Sequence, residues 1–260
     1  MATDTWNPSQ YNKFERERAQ PFFDLLARVR ADPAMRIADL GCGTGRLTRV
    51  LHERLDARET IGIDRSPKML QEQHDQPTVP GLRFEIGTIE EFPAGRGAFN
   101  LIFSNAAFHW VAGHEQLLGR LASALNTGGQ LAFQVPASHD EPSHLIAEEL
   151  TRVEPYASAL GGWHRTQPVL PPAHYARILF SLGFENPSVT LVVYPHILAG
   201  AEEVVEWMRG TLLTEYQKHL PGELFERFVT DYCAGLLAQL ETRRPLFFPF
   251  KRILCWGRRS

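Results

Sequence analysis

The stretch IADLGCGTGRLTRVL, Ile37 to Leu51, constrains this chain more than any other. A short apolar run passes through Asp39, glycines follow at alternate positions (Gly41, Gly43, Gly45), and the chain then takes up helical spacing. Glycines packed this closely cost backbone entropy, so the position must demand a bare main chain. A strand that turns sharply into a helix makes that demand, and makes it more strongly where backbone amides must approach a ligand. A tight turn with no ligand would need only one such glycine. Three in alternation, after Asp39 and before an Asp64 that ends the next apolar run, ETIGID, favour a ligand site.

The surrounding pattern supplies the frame. RIADL, ETIGID, LRFEIG, FNLIFSNA and QLAFQVP read as strands, and helical segments alternate with them from residue 36 to 136. That alternation predicts right-handed βαβ units in an open parallel sheet with helices on both faces. A helix over FERERAQPFFDLLARV leads in, and Ser66 with Pro67 opens a short one as N-cap and first helical residue. Beyond Pro136 the chain is rich in Pro, Gly and His, with one helix near residues 143–153 and another in PAHYARILFSLGF. SVTLVVYPHIL and KRILCWGRR then read as strands separated by two amphipathic helices, AEEVVEWMRGTLLTEYQKHL and GELFERFVTDYCAGLLAQLE. Those two helices are expected off the sheet, as a lid over its carboxyl edge, where open α/β sheets bind ligands.

Composition excludes several partners. The 260 residues are 43% hydrophobic and carry a formal net charge of −3, which argues against nucleic acid or an anionic membrane as the main partner. The N-terminal residues show no secretory pattern, and no uncharged apolar run reaches the roughly 18 residues of a membrane span, so the protein is expected in the cytoplasm. Cys42, Cys233 and Cys255 form neither a disulfide framework nor a metal-ligand spacing, and no metal is expected.

The glycine spacing selects among ligands. A dinucleotide turn reads Gly-x-Gly-x-x-Gly; here it is Gly-x-Gly-x-Gly, with Asp39 just ahead. An acid there is a poor neighbour for pyrophosphate and a good one for a cation. Asp64 can accept from ribose hydroxyls, as strand-end acids do in nucleoside-binding folds. An adenosyl group bearing a sulfonium and an amino acid satisfies both.

DLGCGTGRLT, GIDRSPKML and NLIFSNAAFHWV, in that order, resemble motifs of the class I S-adenosylmethionine-dependent methyltransferases. WNPSQYNKFERER, QVPASHDEPSH, VEWMRGT and FPFKRIL extend the resemblance over nearly the whole chain, to the trans-aconitate 2-methyltransferases. The resemblance implies a single domain over 1–260 on a seven-stranded, mostly parallel, doubly wound Rossmann-like sheet whose last strand is antiparallel. Segments 1–30, 137–170 and 197–246 would form a lid and substrate side. It implies S-adenosyl-L-methionine as cofactor, leaving as S-adenosyl-L-homocysteine, and methyl transfer to a carboxylate oxygen of a small tricarboxylate, trans-aconitate in the family's name.

Carried over position by position, Asp39, Gly41, Gly43 and Gly45 would line the methionine end of the cofactor. Asp64 would hold the ribose, Ser66 and Met69 would lie near the adenine, and Asn105 and Ala106 would face the methionine and its methyl. The third motif departs: where relatives commonly have an acid for the adenine amino group, this chain has Thr88, followed by Ile89. A hydroxyl there can still accept one hydrogen bond. A trianionic acceptor calls for arginines, whose planar fork matches a carboxylate. Arg18, Arg209 and Arg252 lie in the family-like segments, with Tyr11, His109, Gln134 and His144 as further contacts. The rival acceptor is another small carboxylate or a hydroxyl; a phenol would need a base, and His109 would be that base. A module that binds the cofactor without turnover is the remaining alternative.

Overall fold

The computed structural model describes residues 15–73, 76–92, 95, 97–240 and 243–260, with the side chains of residues 15–18 left aside. Tyr11 and the Arg18 side chain, both expected near the acceptor, lie outside the described residues. Helix α1 (Glu15–Leu26) leads into β1 (Arg36–Leu40), α2 (Arg46–Arg54), β2 (Glu59–Asp64), α3 (Pro67–Gln71), β3 (Leu82–Ile86) and β4 (Phe99–Asn105). A 3-10 turn (Phe108–Trp110), α4 (His114–Ala124) and β5 (Leu125–Pro136) follow. The second half runs α5 (Pro142–Leu150), α6 (Tyr156–Leu160), α7 (Pro172–Ser181), β6 (Phe184–Leu198), α8 (Ala201–Arg209), α9 (Leu213–Gln217), α10 (Gly222–Gln239) and β7 (Leu246–Arg259).

The seven strands form one sheet in the order β3-β2-β1-β4-β5-β7-β6. Strands β1 to β5 pair in parallel, and β7 runs antiparallel to both β5 and β6. The order reverses beside β1, which places the glycine turn at the switch point where such sheets bind ligands. Two apolar layers cover the faces. One joins Phe22 and Leu25 of α1 to Tyr232 and Leu236 of α10. The other sets Leu117, Leu118 and Leu121 of α4 with Tyr175 and Leu179 of α7.

Two elements differ from the sequence reading. The segment 201–220, expected as one helix, is two, because the chain breaks at Gly210 and Thr211; the Thr211 hydroxyl turns back to donate to the Trp207 carbonyl at 2.9 Å. Strands β6 and β7 are also longer than expected. They pair from Phe184↔Arg259 to Leu198↔Leu246, whereas β5 stops at Pro136, opposite Arg252. Pro195, inside the expected strand, and Pro249, just ahead of the other, lie opposite each other, so both missing N–H groups fall at one rung. The hairpin therefore projects beyond the sheet's carboxyl edge and carries α8 to α10 at its end. Tyr232 of α10 donates to the Ser143 carbonyl at 2.8 Å, and Tyr156 to Asp231 at 2.5 Å, tying these helices to α5 and α6.

Candidate functional site

The glycine turn needs its glycines for two reasons. Gly41 has φ +77°, and a Cβ there would overlap the Ala107 methyl; Gly45 has φ +71°, and its Cβ would collide with the Phe84 ring. Between them the Gly43 N–H donates to one Asp64 oxygen at 2.8 Å, while the Ser66 N–H donates to the other at 2.9 Å. Asp64 thus latches the end of β2 to the turn. The Ser66 hydroxyl accepts from the Met69 N–H and caps α3, as its position before Pro67 predicts.

A cavity of about 690 Å³ opens over this edge, lined in part by Gly41, Gly43, Asp64, Met69, Ile89 and Asn105. Ala106 and Trp110 line it as well as a second cavity of about 740 Å³. Ala106 holds φ +55°, strained for a residue with a side chain, at the junction of the two. Beneath the turn, Asp39 is 4% exposed. Its Oδ2 accepts from the Thr48 hydroxyl at 2.6 Å, while Oδ1 has no partner among the described residues. Burial pushes the Asp39 carboxyl up to about 7; the Thr48 hydrogen bond opposes this and the Asp64 charge adds to it.

Four of the expected cofactor contacts lie outside the lining of this cavity. Gly45 packs on Phe84, and Ser66 is a cap rather than lining. Thr88 is turned away: its hydroxyl donates to Glu91 at 2.9 Å and accepts that residue's N–H at 3.2 Å, so it is engaged locally and does not line the cavity. Its neighbours Ile89 and Glu90 do, and Glu90 went unread because the motif's usual acid position precedes it. Asp39 lies under the turn rather than in the lining.

The second cavity is bounded by Arg252 from β7, His109 and Trp110 from the 3-10 turn, His144 from α5, and Trp207 and Met208 from α8. Arg252 is 6% exposed, with its guanidinium carbon 4.6 Å from the Phe250 ring centroid. Gln134 supports it from behind: its Oε1 lies 3.5 Å from an Arg252 nitrogen, and its Nε2 donates to Asn105 at 2.7 Å. Gln134 is therefore a positioning residue between the cavities rather than part of the lining. Arg209 is exposed beside Cys233, because Trp207 and Met208 take the inward face of α8 and Arg209 falls on the other.

Arg165 was missed. It lies in the irregular loop GGWHRTQP, where no period marks an inward residue. The usable signal was Trp163, which stacks on His219 with centroids 4.0 Å apart and meets Tyr216 edge-on, pinning the loop so that Arg165 lines the cavity. Loop and 3-10 turn are joined through buried groups. The Leu170 N–H donates to the Tyr175 oxygen (3.1 Å), the Tyr175 hydroxyl to His114 Nδ1 (2.5 Å), and His114 Nε2–H to the Phe108 carbonyl (2.9 Å). His109 is held neutral: burial, then the charges of Arg252 and Arg165, push its pKa well below 6.5. Burial takes His144 down to about 3. Burial raises the thiols of Cys42, Cys233 and Cys255, so none offers a nucleophile.

The fold and the turn over its switch point define a class I methyltransferase. Residues 31–174 match the model of a methyltransferase domain family. The fold is shared with an S-adenosylmethionine-dependent methyltransferase from Mesorhizobium loti (TM-score 0.52, 19% identity, 93% and 98% of the two chains). It is shared as well with phosphoethanolamine N-methyltransferase 2 of Haemonchus contortus (TM-score 0.55, 13% identity, 93% and 52%). Among curated relatives, the trans-aconitate 2-methyltransferase of Deinococcus radiodurans is 40% identical over 256 residues, 96% of each chain. That of Streptomyces avermitilis is 38% identical over 262 residues, 97% of this chain and 96% of its own. The chain belongs to the trans-aconitate 2-methyltransferase family and is an S-adenosylmethionine-dependent methyltransferase. No described helix is long and apolar enough to cross a membrane.

The residues present fit the cofactor. A buried carboxylate oxygen without a partner and strand-end Asp64 suit a cationic nucleoside, and Met69 and Ile89 give an apolar wall for a purine. Asp64→Ala is expected to weaken S-adenosylhomocysteine binding about 10- to 150-fold, or about 1.5–3 kcal/mol, the worth of hydrogen bonds to a charged group. Because the change also orphans the Gly43 and Ser66 N–H groups, the melting temperature should fall with it. Calorimetry that finds unchanged affinity would leave Asp64 a latch alone.

Proposed function

We propose that this enzyme methylates a carboxylate oxygen of a small polycarboxylate, with trans-aconitate, named in its relatives, as the acceptor. The observation that carries this is charge segregation between the adjoining cavities. At the glycine-turn end Asp64, Glu90 and the underlying Asp39 outweigh the one arginine of that lining, Arg65, and suit a cation. Among the described residues lining the second cavity there is no acid, and two arginines, Arg165 and Arg252, suit an anion.

S-adenosylmethionine supplies a methyl carbon on a cationic sulfur; the acceptor oxygen takes that carbon, and the electron pair of the carbon–sulfur bond stays with sulfur as the ester and S-adenosylhomocysteine form. A carboxylate with a pKa of about 4 is already ionised at neutral pH, so the site needs cations and no base. His109, held neutral and weakly basic between two arginines, agrees with that need. Arg252 and Arg165 would hold the acceptor, and positioning of this kind can contribute about 7–11 kcal/mol. We take segments 137–170 and 197–246, together with 1–30, as the lid of one domain; Trp207, Met208 and Leu212 would exclude water.

Formation of S-adenosylhomocysteine should be followed with mono-, di- and tricarboxylates and with a phenol. Turnover is expected with the polycarboxylates, and should persist from pH 8 to pH 6. Turnover with the phenol alone, lost toward pH 6, would replace this reading with a hydroxyl acceptor.

A further inference from the structure

Beside His109 lies a third recess of about 280 Å³, which shares His109, Pro136, His144 and Arg165 as walls with the acceptor cavity. Its other walls include Ser138 and His139. Buried polar atoms without a partner are rare in a folded protein. Three gather around this recess: among the described residues, His109 Nδ1, Ser138 Oγ and Arg165 Nη1 have no hydrogen-bond partner. Ser138 is 3% exposed. The acids whose charges reach Arg165 are occupied elsewhere, Glu215 with Lys218 at 2.6 Å and Glu148 with Arg152 at 2.8 Å.

The surroundings hold these groups in place. Trp163, stacked on His219, anchors the loop that carries Arg165. Lys251 is bound by Asp140 and Glu141, both at 2.7 Å, and its carbonyl accepts the Ala137 N–H at 2.9 Å, which fixes the chain on either side of Ser138. That pairing also takes Lys251 out of competition as a carboxylate binder. Their three unpartnered atoms, a guanidinium nitrogen, a hydroxyl and an imidazole nitrogen in its Nδ1–H tautomer, can each donate a hydrogen bond, and the set carries one full positive charge. The chemistry that satisfies such a set is a carboxylate.

We propose that Arg165, Ser138 and His109 form a second carboxylate subsite, set apart from Arg252, and that Arg165 makes the enzyme select acceptors bearing two or more separated carboxylates. This rests on the polycarboxylate reading above and deepens it. With Arg252 linked through Gln134 to Asn105 of the cofactor cavity, and Arg165 but not Arg252 lining the recess, an acceptor is measured by the spacing of its carboxylates. A monocarboxylate fills one subsite and leaves the other arginine buried without its anion, which is a strong basis for rejection.

The test uses the full chain saturated with S-adenosylhomocysteine and calorimetric binding of trans-aconitate, a tricarboxylate, and of crotonate, a monocarboxylate. The same two acids are then used as substrates with S-adenosylmethionine. Wild-type protein should bind trans-aconitate at least 30-fold more tightly than crotonate. Arg165→Gln should weaken trans-aconitate 10- to 100-fold, raise KM far more than it lowers kcat, and bind crotonate at least as tightly as wild type, since the arginine that a monocarboxylate leaves unpaired is gone. Arg165→Lys should recover part of the loss, and Ser138→Ala should weaken trans-aconitate several-fold. Folding is controlled by S-adenosylhomocysteine affinity and melting temperature, which Arg165→Gln should keep. A folded Arg165→Gln variant that still prefers trans-aconitate as wild type does overturns the subsite and leaves the polycarboxylate reading standing. Wild-type protein that turns over no polycarboxylate overturns both.

Discussion

Arg252→Ala is expected to lower kcat/KM for the polycarboxylate about 30- to 1,000-fold, or about 2–4 kcal/mol, the usual loss when a charged contact is broken in a buried site. Arg252 comes from β7, opposite Pro136 at the carboxyl end of β5, and is held against the Phe250 ring with Gln134 behind it. Its guanidinium is therefore preset before substrate arrives. A lysine lacks the planar fork and the stacking surface, so Arg252→Lys should recover only part of the rate. His109→Gln provides the contrast. Burial and the charges of Arg252 and Arg165 hold this histidine neutral far below pH 6.5, so it has little appetite for a proton. The variant should lose less than about tenfold, since glutamine retains a donor, and with S-adenosylmethionine saturating the wild-type rate should be level between pH 8 and pH 6. Steady-state kinetics on the three variants over that range decide the matter. Abolished turnover in His109→Gln, together with a nearly silent Arg252→Ala, would transfer the chemistry to base-assisted methylation of a hydroxyl.

What the sequence revealed follows from where it is periodic. RIADL and ETIGID became β1 and β2 residue for residue, because buried parallel strands must be apolar throughout and the glycine turn marks their ends. The parallel pairing of the first five strands follows from their alternation with helices, whereas the antiparallel last strand is implied only by the family resemblance. The β6–β7 hairpin extends beyond the sequence reading because Pro187 and Pro249 look like stops, whereas β6 begins ahead of the irregularity at Glu185/Ser188 and Pro249 pairs opposite Pro195. The helix over 201–220 was read whole because its apolar spacing continues through Gly210, while the break depends on a local bond from Thr211 to Trp207.

The site divides in the same way. Gly41, Gly43, Asp64, Met69, Ile89, Asn105 and Ala106 lie on strand ends and their turns, where a motif fixes both residue and direction, and all line the first cavity. Thr88 sits in a motif position too, but a nearby glutamate captures its hydroxyl, and motif spacing carries no information about such a bond. Arg209 was misplaced for want of the helix phase, which the inward Trp207 and Met208 settle. Arg165 and Ser138 lie in loops, where neither period nor turn chemistry tells which side chain points inward; the contacts of Trp163 and Lys251 determine it.

Asp39 joins stability to cofactor binding, and Asp39→Asn is expected to move the two in opposite directions. The carboxyl is buried beneath the glycine turn, and its pKa stands at about 7 against the ordinary aspartate value of 3.8, chiefly from desolvation. An acid whose folded pKa lies above its unfolded one contributes stability that is full below pH 4, shrinks as the pH rises, and is lost above about 7. Keeping Asp39 ionised at pH 8 therefore strains the ligand-free protein, by up to about 4 kcal/mol at about 1.4 kcal/mol per pKa unit. Asparagine carries no charge and can still accept the Thr48 hydroxyl bond. The ligand-free variant should melt higher than wild type at pH 8, by about 2–4 °C for each kcal/mol recovered. The gain should shrink to about a third near pH 5, where the folded acid is protonated and the unfolded one still ionised, and disappear below about pH 4. Binding runs the other way, since a cationic cofactor favours the ionised carboxylate. Asp64 adds to the strain on that charge, and the neighbouring Cys42 thiol stays protonated throughout. Wild-type affinity for S-adenosylhomocysteine, whose amino group is cationic over this range, should be level above about pH 7 and fall toward tenfold per unit below it, with proton release on binding. Asp39→Asn should bind weakly and equally at pH 8 and pH 6. Calorimetry in two buffers of different ionisation heat measures affinity and proton release together. Equal affinity of wild type and variant at pH 8, with no proton released at pH 6, would limit Asp39 to shaping the turn.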